Sequence, residues 1–509
     1  MIRFLIRRIL ILLGILLALS FFMYGALTLA LDPLSDLRQS TALNKQQLIN
    51  SRIAMLHLNE PWTQRYWNWL VQFVQGNPGQ AWAIQQPVSK LLPGAVSTSF
   101  HLVINATLLS IVVGVTIGVI SALRQYTGFD YTITFVAFVM YSLPVFWVAV
   151  LLKQFLAIDL NNFLQQPSVN WLLVVVLALI GGLFWLGALG GDWKRRLIVF
   201  VSAFVVTFAV FAYIFASGWL NNPQIGLLGV AVIGLASAYV FTVLFAGTRN
   251  RRALYSALTV AVVGIALYYP LQYLLVYSFA GTYWFEVLLL LVALALGGLI
   301  GWLFGGPDRM VSVRGGVLVA LVMAIVVFVD QCLQYWQIYV NSRPIAHRPI
   351  ATSGATTPAL GGGFWVGQLD SFTHLLLPTI ALVLISFATY TRYQRGATLE
   401  VLNQDYIRTA RSKGLPERVV IVRHALRNAL LPLASIVPVD IISLLGGAVI
   451  TETIFNWNGM GRLFITALAG NMIDPAMAYI MITGAAAMVA NIIADFLYAL
   501  LDPRIRVDA

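Results

Sequence analysis

The sequence predicts an all-α, multi-pass membrane protein of about twelve spanning helices, with both termini on the cytoplasmic side. Three observations predict it. The 509 residues are 60% hydrophobic and only 10% charged, where soluble domains are about 25% charged. Mean hydropathy is +0.85. Apolar runs of the ~20 residues that a bilayer-spanning helix needs recur along the whole chain. These runs are continuous rather than alternating, so they fit helices and not a β-barrel.

Twelve segments fit the spans: 9–31, 98–123, 131–157, 170–190, 197–218, 225–247, 253–279, 284–305, 314–337, 372–391, 434–455 and 476–501. The opening "MIRFLIRRIL" starts like a signal peptide. The apolar run Ile9–Leu31 is longer than the ~7–15 residues of a signal core, so it reads as a retained first helix. With the N-terminus in the cytoplasm and strict alternation, the inside segments are "RFLIRR", Arg124, "DWKRR", "TRNRR", "DRMVSVR", 392–432 and "DPRIR". They hold 22 of the 31 Lys and Arg residues. Five of the nine outside lie in the long 32–95 segment, where the positive-inside rule weakens. The outer turns near 219–224 and 280–283 have none. The net charge of +12 therefore reads as cytoplasmic loops, not as affinity for nucleic acid.

Two outer segments are long. In 32–95, Leu48, Ile53, Leu56 and then Trp62, Tyr66, Trp69, Leu70 and Phe73 recur at helical spacing. Two short helices capping the outer face fit this pattern, and so do aromatics lying at the lipid interface. The stretch 338–371, with "RPIATSGATTPALGGG", reads as an extended or mobile loop.

The charge that remains gathers in "DYIRTARSKGLPERVVIVRHALRNALLPL", residues 405–433, which carries Arg408, Arg411, Lys413, Arg418, Arg423 and Arg427. "DYIRTARSK" favours a helix, and Gly414 is a natural stop because glycine tolerates positive φ. Pro416 suits the first turn of a second helix, and Glu417 suits its positive dipole end. Leu415 is a poor hydrogen-bonding cap and reads as one that packs. Val419, Val422, Leu426 and Leu430 share one face of that helix. A helix, corner, helix arrangement between two spans is the expectation. It suits an ordinary basic loop, a segment lying on anionic lipid, or a helix docked in a partner's groove. The sharp corner favours docking.

Chemistry-bearing clusters are scarce. The single cysteine, Cys332, excludes an internal disulfide and a cysteine metal site. His57, His101, His347, His374 and His424 are scattered, with no i, i+4 pair of histidines and no acidic neighbour cluster, so no metal site and no Ser/His/Asp arrangement is predicted. No Gly-Lys dipeptide occurs, hence no Walker A loop; no cofactor site and no catalytic residue is expected in this chain. Glu452 in "ITETIF" and Asp495 in "IIADFLY" are the candidates for lining a pathway or bracing helices. Asp440, after Pro438, is a candidate interfacial residue. Lys153 is expected to snorkel to water.

"RTARSKGL" resembles the EAA-type cytoplasmic motif of ABC importer permeases. Ala410 and Gly414 match, while Arg408 and Thr409 stand where the family has Glu and its first Ala. The distance from Gly414 to Leu431–Pro432 is similar to that of the peptide and nickel importer branch. "RFLIRRIL", "LNEPWTQRYWNWL", "YSLPVFW" (141–147), "HLLLPTIAL" (374–382), "GGAVITETIFNWNGMGRL" (446–463) and "DFLYALLDPRIR" (495–506) also look like that branch. The resemblance implies a type I importer-like permease core of six helices in a bacterial plasma (inner) membrane. It implies a second, homologous permease, two cytoplasmic ABC ATPases that hold ATP and Mg, and an extracytoplasmic substrate-binding protein. The coupling residues would be Ala410, Gly414, Leu415, Pro416, Glu417, Arg418, Val419 and Val422. Di- or oligopeptides are the expected substrates, with nickel, glutathione or oligosaccharide as alternatives.

The resemblance stops near Phe155 and resumes near Leu369. It divides the chain into 1–157, an inserted six-helix module 158–368, and 369–509 with the coupling loop 392–432. The insertion offers only Glu286 and Asp330 as intramembrane acids, both expected near outer ends, so a peripheral, lipid-facing or partner-facing module is the reading, with a second solute path as the alternative. "LALDPL" and "GNPGQAW" also depart from the branch, which bears on binding-protein docking. A stand-alone twelve-helix secondary transporter would show repeats between halves, and none is visible. A membrane-embedded enzyme would need a convergent polar cluster.

Overall fold

The computed structural model of the chain describes residues 2–41, 43–166, 169–247, 250–278, 283–306 and 309–501. Arg249, Asp308, the ending "DPRIR" and most of the turn near 280–283 therefore lie outside the described residues. Eleven described helices are long and apolar enough to cross a membrane, or twelve if the bent pair Arg251–Ala266 and Tyr268–Val276 forms one span. Two compact units emerge. One comprises Met1–Phe155, Thr352–Ala355 and Leu375–Ala509; the other comprises Leu156–Ala351 and Thr356–His374.

The first unit begins with α1 (Ile2–Ala30). The segment after it forms three helices, α2 (Ser35–Gln39), α3 (Lys45–Met55) and α4 (Trp62–Val74), where sequence spacing predicts two. The Asp32 carboxylate accepts from the Leu34 amide at 3.0 Å and so sets up the extra turn. The aromatic face of α4 is buried against α1 and is not a lipid-interface belt. Tyr66 is 1% exposed, its hydroxyl meets Ser20 Oγ at 2.8 Å, and Phe21 and Tyr24 pack on its ring. Gly25 supplies the space: a Cβ there would sit 3.2 Å from the Trp62 ring. A two-residue antiparallel pair, β1 (Gln80–Ala81) and β2 (Gln86–Pro87), leads into α5 (Val88–Leu123). The predicted helix 131–157 is broken into α6 (Gly128–Ser142) and α7 (Val145–Leu152). Pro144 is the cause, since it pushes Leu143 out of helical geometry to φ −80°, ψ 130°. A π-helical stretch, Lys153–Asp159, follows.

In the second unit, α8 (Leu160–Gln165) precedes a hairpin of α9 (Trp171–Leu189) and α10 (Trp193–Ala216). Next come α11 (Gly226–Phe245), α12 (Arg251–Ala266), α13 (Tyr268–Tyr273), α14 (Tyr283–Phe304), α15 (Arg309–Gln334) and the short α16 (Trp336–Val340). The helices α14 and α15 touch through bare backbone. A Cβ on Gly297 would lie 2.6 Å from the Gly316 carbonyl, and one on Gly301 would lie 2.5 Å from Val313 Cα. Small residues permit this approach where lipid gives helices no hydrophobic drive to associate.

Residues 341–362 have no regular structure, yet they are tethered rather than merely extended. Asn161 exchanges two hydrogen bonds with the Ile350 backbone, at 2.8 and 2.9 Å. The Tyr339 hydroxyl donates to the Pro349 carbonyl, and Asp370 receives both the amide and the hydroxyl of Thr357. These anchors lie far off in sequence or across a turn, so composition alone could not reveal them.

The long α17 (Gly363–Leu402) far exceeds the expected 372–391 and continues through Pro378. It is followed by α18 (Asp405–Ser412), α19 (Glu417–Val419), a π-helical turn Val420–Ala425, α20 (Leu426–Ala429), α21 (Leu431–Ile454), α22 (Met460–Ala469) and α23 (Ile473–Leu501). Within the first unit α1, α22 and α23 share a core with α4 and the start of α5.

The α14–α15 contact yields a prediction. Gly301→Ala should lower the thermal unfolding midpoint in detergent by the equivalent of about 1–3 kcal/mol, as overpacking does. Gly315→Ala, whose Cβ meets nothing within 4 Å, should leave the midpoint near wild type.

Candidate functional site

The corner at residues 410–420 is built from backbone capping. Helix α18 ends with the Leu415 amide on the Ala410 carbonyl (3.4 Å) and the Gly414 amide on the Arg411 carbonyl (2.9 Å). That pairing is a Schellman motif, and it needs a left-handed residue between. Gly414 supplies it at φ +73°. Pro416 stands as the N-cap of α19 rather than in its first turn, and its carbonyl takes the amides of Val419 and Val420 at 2.8 and 3.2 Å. Across the corner Arg411 grips Glu417 through two hydrogen bonds, Nε to Oε2 at 3.1 Å and Nη2 to Oε1 at 2.6 Å. These bonds raise the Arg411 pKa above its ordinary value. The side chains are 43% and 54% exposed, so the pair orients the corner more than it stabilises the fold.

The second limb of the corner does not bury Val419, Val422, Leu426 and Leu430, the residues that share a face at regular helical spacing. Val420, Ala425 and Ala429 are buried instead, and Leu430 is 37% exposed. The cause is the π-helical turn Val420–Ala425, which widens the step from four residues to five and rotates the face. Val420 and Ala425 pack on Ile407 and Ala410, with Val401 and Leu402 alongside. The coupling candidates therefore separate. Ala410 is inside the platform. Gly414, Leu415, Pro416 and Glu417 are exposed, and Arg418, Val419 and Val422 are partly so. The arrangement is a stiff, two-helix platform that presents a short ridge of mixed apolar and charged groups.

Glu452 and Asp495 are placed differently. Glu452 is fully buried on α21. It accepts from Ser99 Oγ of α5 at 2.5 Å and from the Arg462 amide of α22 at 3.0 Å. Asp495 on α23 pairs with Arg8 on α1 at 2.8 Å. Both carboxylates thus brace helices within the first unit. Lys153 donates to the Ile454 carbonyl at 3.3 Å, and Asp440 accepts from the Tyr390 hydroxyl at 2.7 Å.

Two further polar centres escaped sequence reasoning. Asp130 receives Arg395 through both oxygens, at 2.7 and 2.8 Å, together with Ser121 at 2.5 Å. The partners are 265 positions apart, and Arg395 looks in sequence like any cytoplasmic arginine. Asp330 accepts from the Ile225 and Gly226 amides, Tyr268, Gln272 and Gln334. One histidine does have a single acidic neighbour. His374 stands one turn from Asp370, with Nε2 3.3 Å from its carboxylate and 3.0 Å from Thr357 Oγ1, all buried or half-buried. The i, i+4 spacing was present in "DSFTH". Among the described residues no group of three or more His, Cys, Asp or Glu side chains is arranged to hold a metal ion.

The profile of the family described as "Binding-protein-dependent transport system inner membrane component" matches residues 185–507. The chain belongs to that family. With its run of apolar spanning helices, it is a multi-pass inner-membrane component. Individual relatives agree. The oligopeptide transport system permease protein OppB of Mycobacterium tuberculosis is 41% identical over 155 residues, 30% of this chain and 48% of that protein. AppB of Bacillus subtilis, an oligopeptide transport system permease protein, is 47% identical over 136 residues, 27% and 43% of the two chains. The dipeptide transport system permease protein DppB of Escherichia coli is 42% identical over 138 residues, 27% and 41%. The chain spans about half the length of the curated relatives it matches.

The Glu452 site yields a prediction. Glu452→Ala leaves the Ser99 hydroxyl and the Arg462 amide without their acceptor, so the unfolding midpoint in detergent should fall by the equivalent of about 1–3 kcal/mol. Glu452→Gln, which keeps one acceptor, should lose less. An unchanged midpoint for the alanine variant would show that the carboxylate does not brace the helices.

Proposed function

We propose that this chain is a permease subunit of an ATP-driven importer of di- or oligopeptides. Family membership and the names of the relatives support the class and the substrate. The observation that carries the coupling role is the exposed ridge Gly414–Arg418 on its buried platform. In this reading two cytoplasmic ATPases hold ATP and Mg and grip the ridge. Glu417 and Arg418 steer the fit, while Leu415, Val419 and Val422 supply apolar contact. Closure of the ATPases pulls on α18–α20, and the pull passes directly into α21, which starts at Leu431. A second permease completes the pathway and an extracytoplasmic binding protein delivers the peptide. The chain itself carries out no chemistry and sits in lipid on its remaining faces.

Purifying the tagged chain in mild detergent and identifying what stays bound tests this reading. Two ATPases with Walker A loops and a second permease are expected. Gly414→Val, which costs about 1–2 kcal/mol at a left-handed position, and Arg418→Glu should each release the ATPases while the chain remains in the membrane. A chain that purifies alone, and moves solute alone under an ion gradient, would sink the proposal.

A further inference from the structure

A carboxylate inside a spanning helix is costly and calls for several donors or a cation. Most of those described here have them. Asp130 has Arg395 and Ser121. Asp330 has five donors, Asp370 has Thr357 and His374, Glu452 has Ser99 and the Arg462 amide, and Asp495 has Arg8. Glu286 and Asp474 stand in the first turns of α14 and α23, where a helix's own free amides favour an acid, and Asp474 also accepts from the Gln80 amide. Asp440, ten residues into α21, departs from this pattern. Among the described residues its one hydrogen-bond donor is the neutral Tyr390 hydroxyl at 2.7 Å, and no ion pair includes it. It is partly open, and its neighbour Val439 is 48% exposed.

The surroundings hold this carboxylate in place and add acceptors. Tyr390 is fully buried, with α5 pressed against it at Gly114, where a Cβ would lie 2.6 Å from Tyr390 Cβ. Its hydroxyl therefore cannot swing aside. On the same face of α17, Ser386, Tyr390, Gln394 and Thr398 recur every fourth residue, and all four are buried. Gln394 donates to Thr398 at 3.0 Å, while its own carbonyl oxygen has no partner. Asp440 is thus a fixed carboxylate that has one neutral donor and one open side. Its chemical complement is a cation that carries its own N–H donors.

We propose that Asp440 contacts a cationic amine of the substrate in the translocation path, the α-ammonium of a peptide being the group present on every unmodified substrate. The proposal rests on the peptide-import reading. It makes Asp440 a specificity-determining residue and Tyr390 the group that positions it. Its place on the helix that follows the corner would let ATPase movement change how far the carboxylate is exposed.

The test uses the complete complex in proteoliposomes with trialanine and N-acetyl-trialanine as substrates. In Asp440→Asn the ratio of kcat/KM for the free amine to that for the acetylated peptide should fall about tenfold, the loss of one charge-assisted hydrogen bond. Asp440→Glu should restore most of it. In a Cys332→Ser background, Asp440→Cys should react with a membrane-impermeant thiosulfonate in one nucleotide state. Equal losses for both peptides would overturn the proposal in favour of a purely structural carboxylate. A thiol unreactive in every state would overturn it in favour of contact with lipid or a cation of the second permease. A wild-type complex that imports neither peptide would overturn the import reading itself, which is a different result from import with an unchanged ratio.

Discussion

No water reaches the interior of a bilayer, so every polar group there must be satisfied by the protein. That constraint organises this chain. Glu452 joins α5, α21 and α22, and Asp130 joins α6 to α17. In the other unit Asp330 pins the start of α11 to α13 and α15. Apolar side chains cannot set such register, because lipid solvates them as well as a neighbouring helix does. The acids do so by direction, since a carboxylate that misses its donors carries the full desolvation cost.

Close packing of glycine is the second device. Gly297, Gly301 and Gly316 bring α14 onto α15, and Gly114 and Gly118 bring α5 onto α17 at Tyr390 and Gln394. The two devices meet at Tyr390. There a glycine contact immobilises the residue whose hydroxyl holds Asp440. A half-satisfied group thus stands on a rigid support, which suits a site where one particular ligand group must be met rather than merely tolerated.

The corner at Gly414 follows the opposite rule. It lies where chain segments are capped by their own backbone, and its ion pair is open to solvent. Its stiffness comes from local geometry: a Schellman turn, a proline-started helix and a π-helical turn packed on Ile407 and Ala410. A rigid ridge transmits a pull, whereas a lax loop absorbs it. The second unit carries its own core and its own buried hub, and the irregular segment 341–362 is held by Asn161 and Asp370.

Local chemistry was legible in the residue order alone. Among the described residues the predicted spans fall on helical segments, with 131–157 broken at Pro144 and 253–279 bent after Ala266, because hydrophobic length in a bilayer is a one-dimensional property. The stop at Gly414 and the acid at Glu417 were legible for the same reason. The break at Pro144 could have been read and was not. The partners of Asp130, Asp330 and Glu452 could not, because they lie tens to hundreds of residues away. The rotated face at Val420–Ala425 was hidden too, since a π-helical turn depends on what the helix packs against and a fixed helical period does not foresee it. Sequence determined what the chain is made of and where it crosses the membrane. Tertiary structure decided which polar groups are answered and which are left open, because that depends on distance in space.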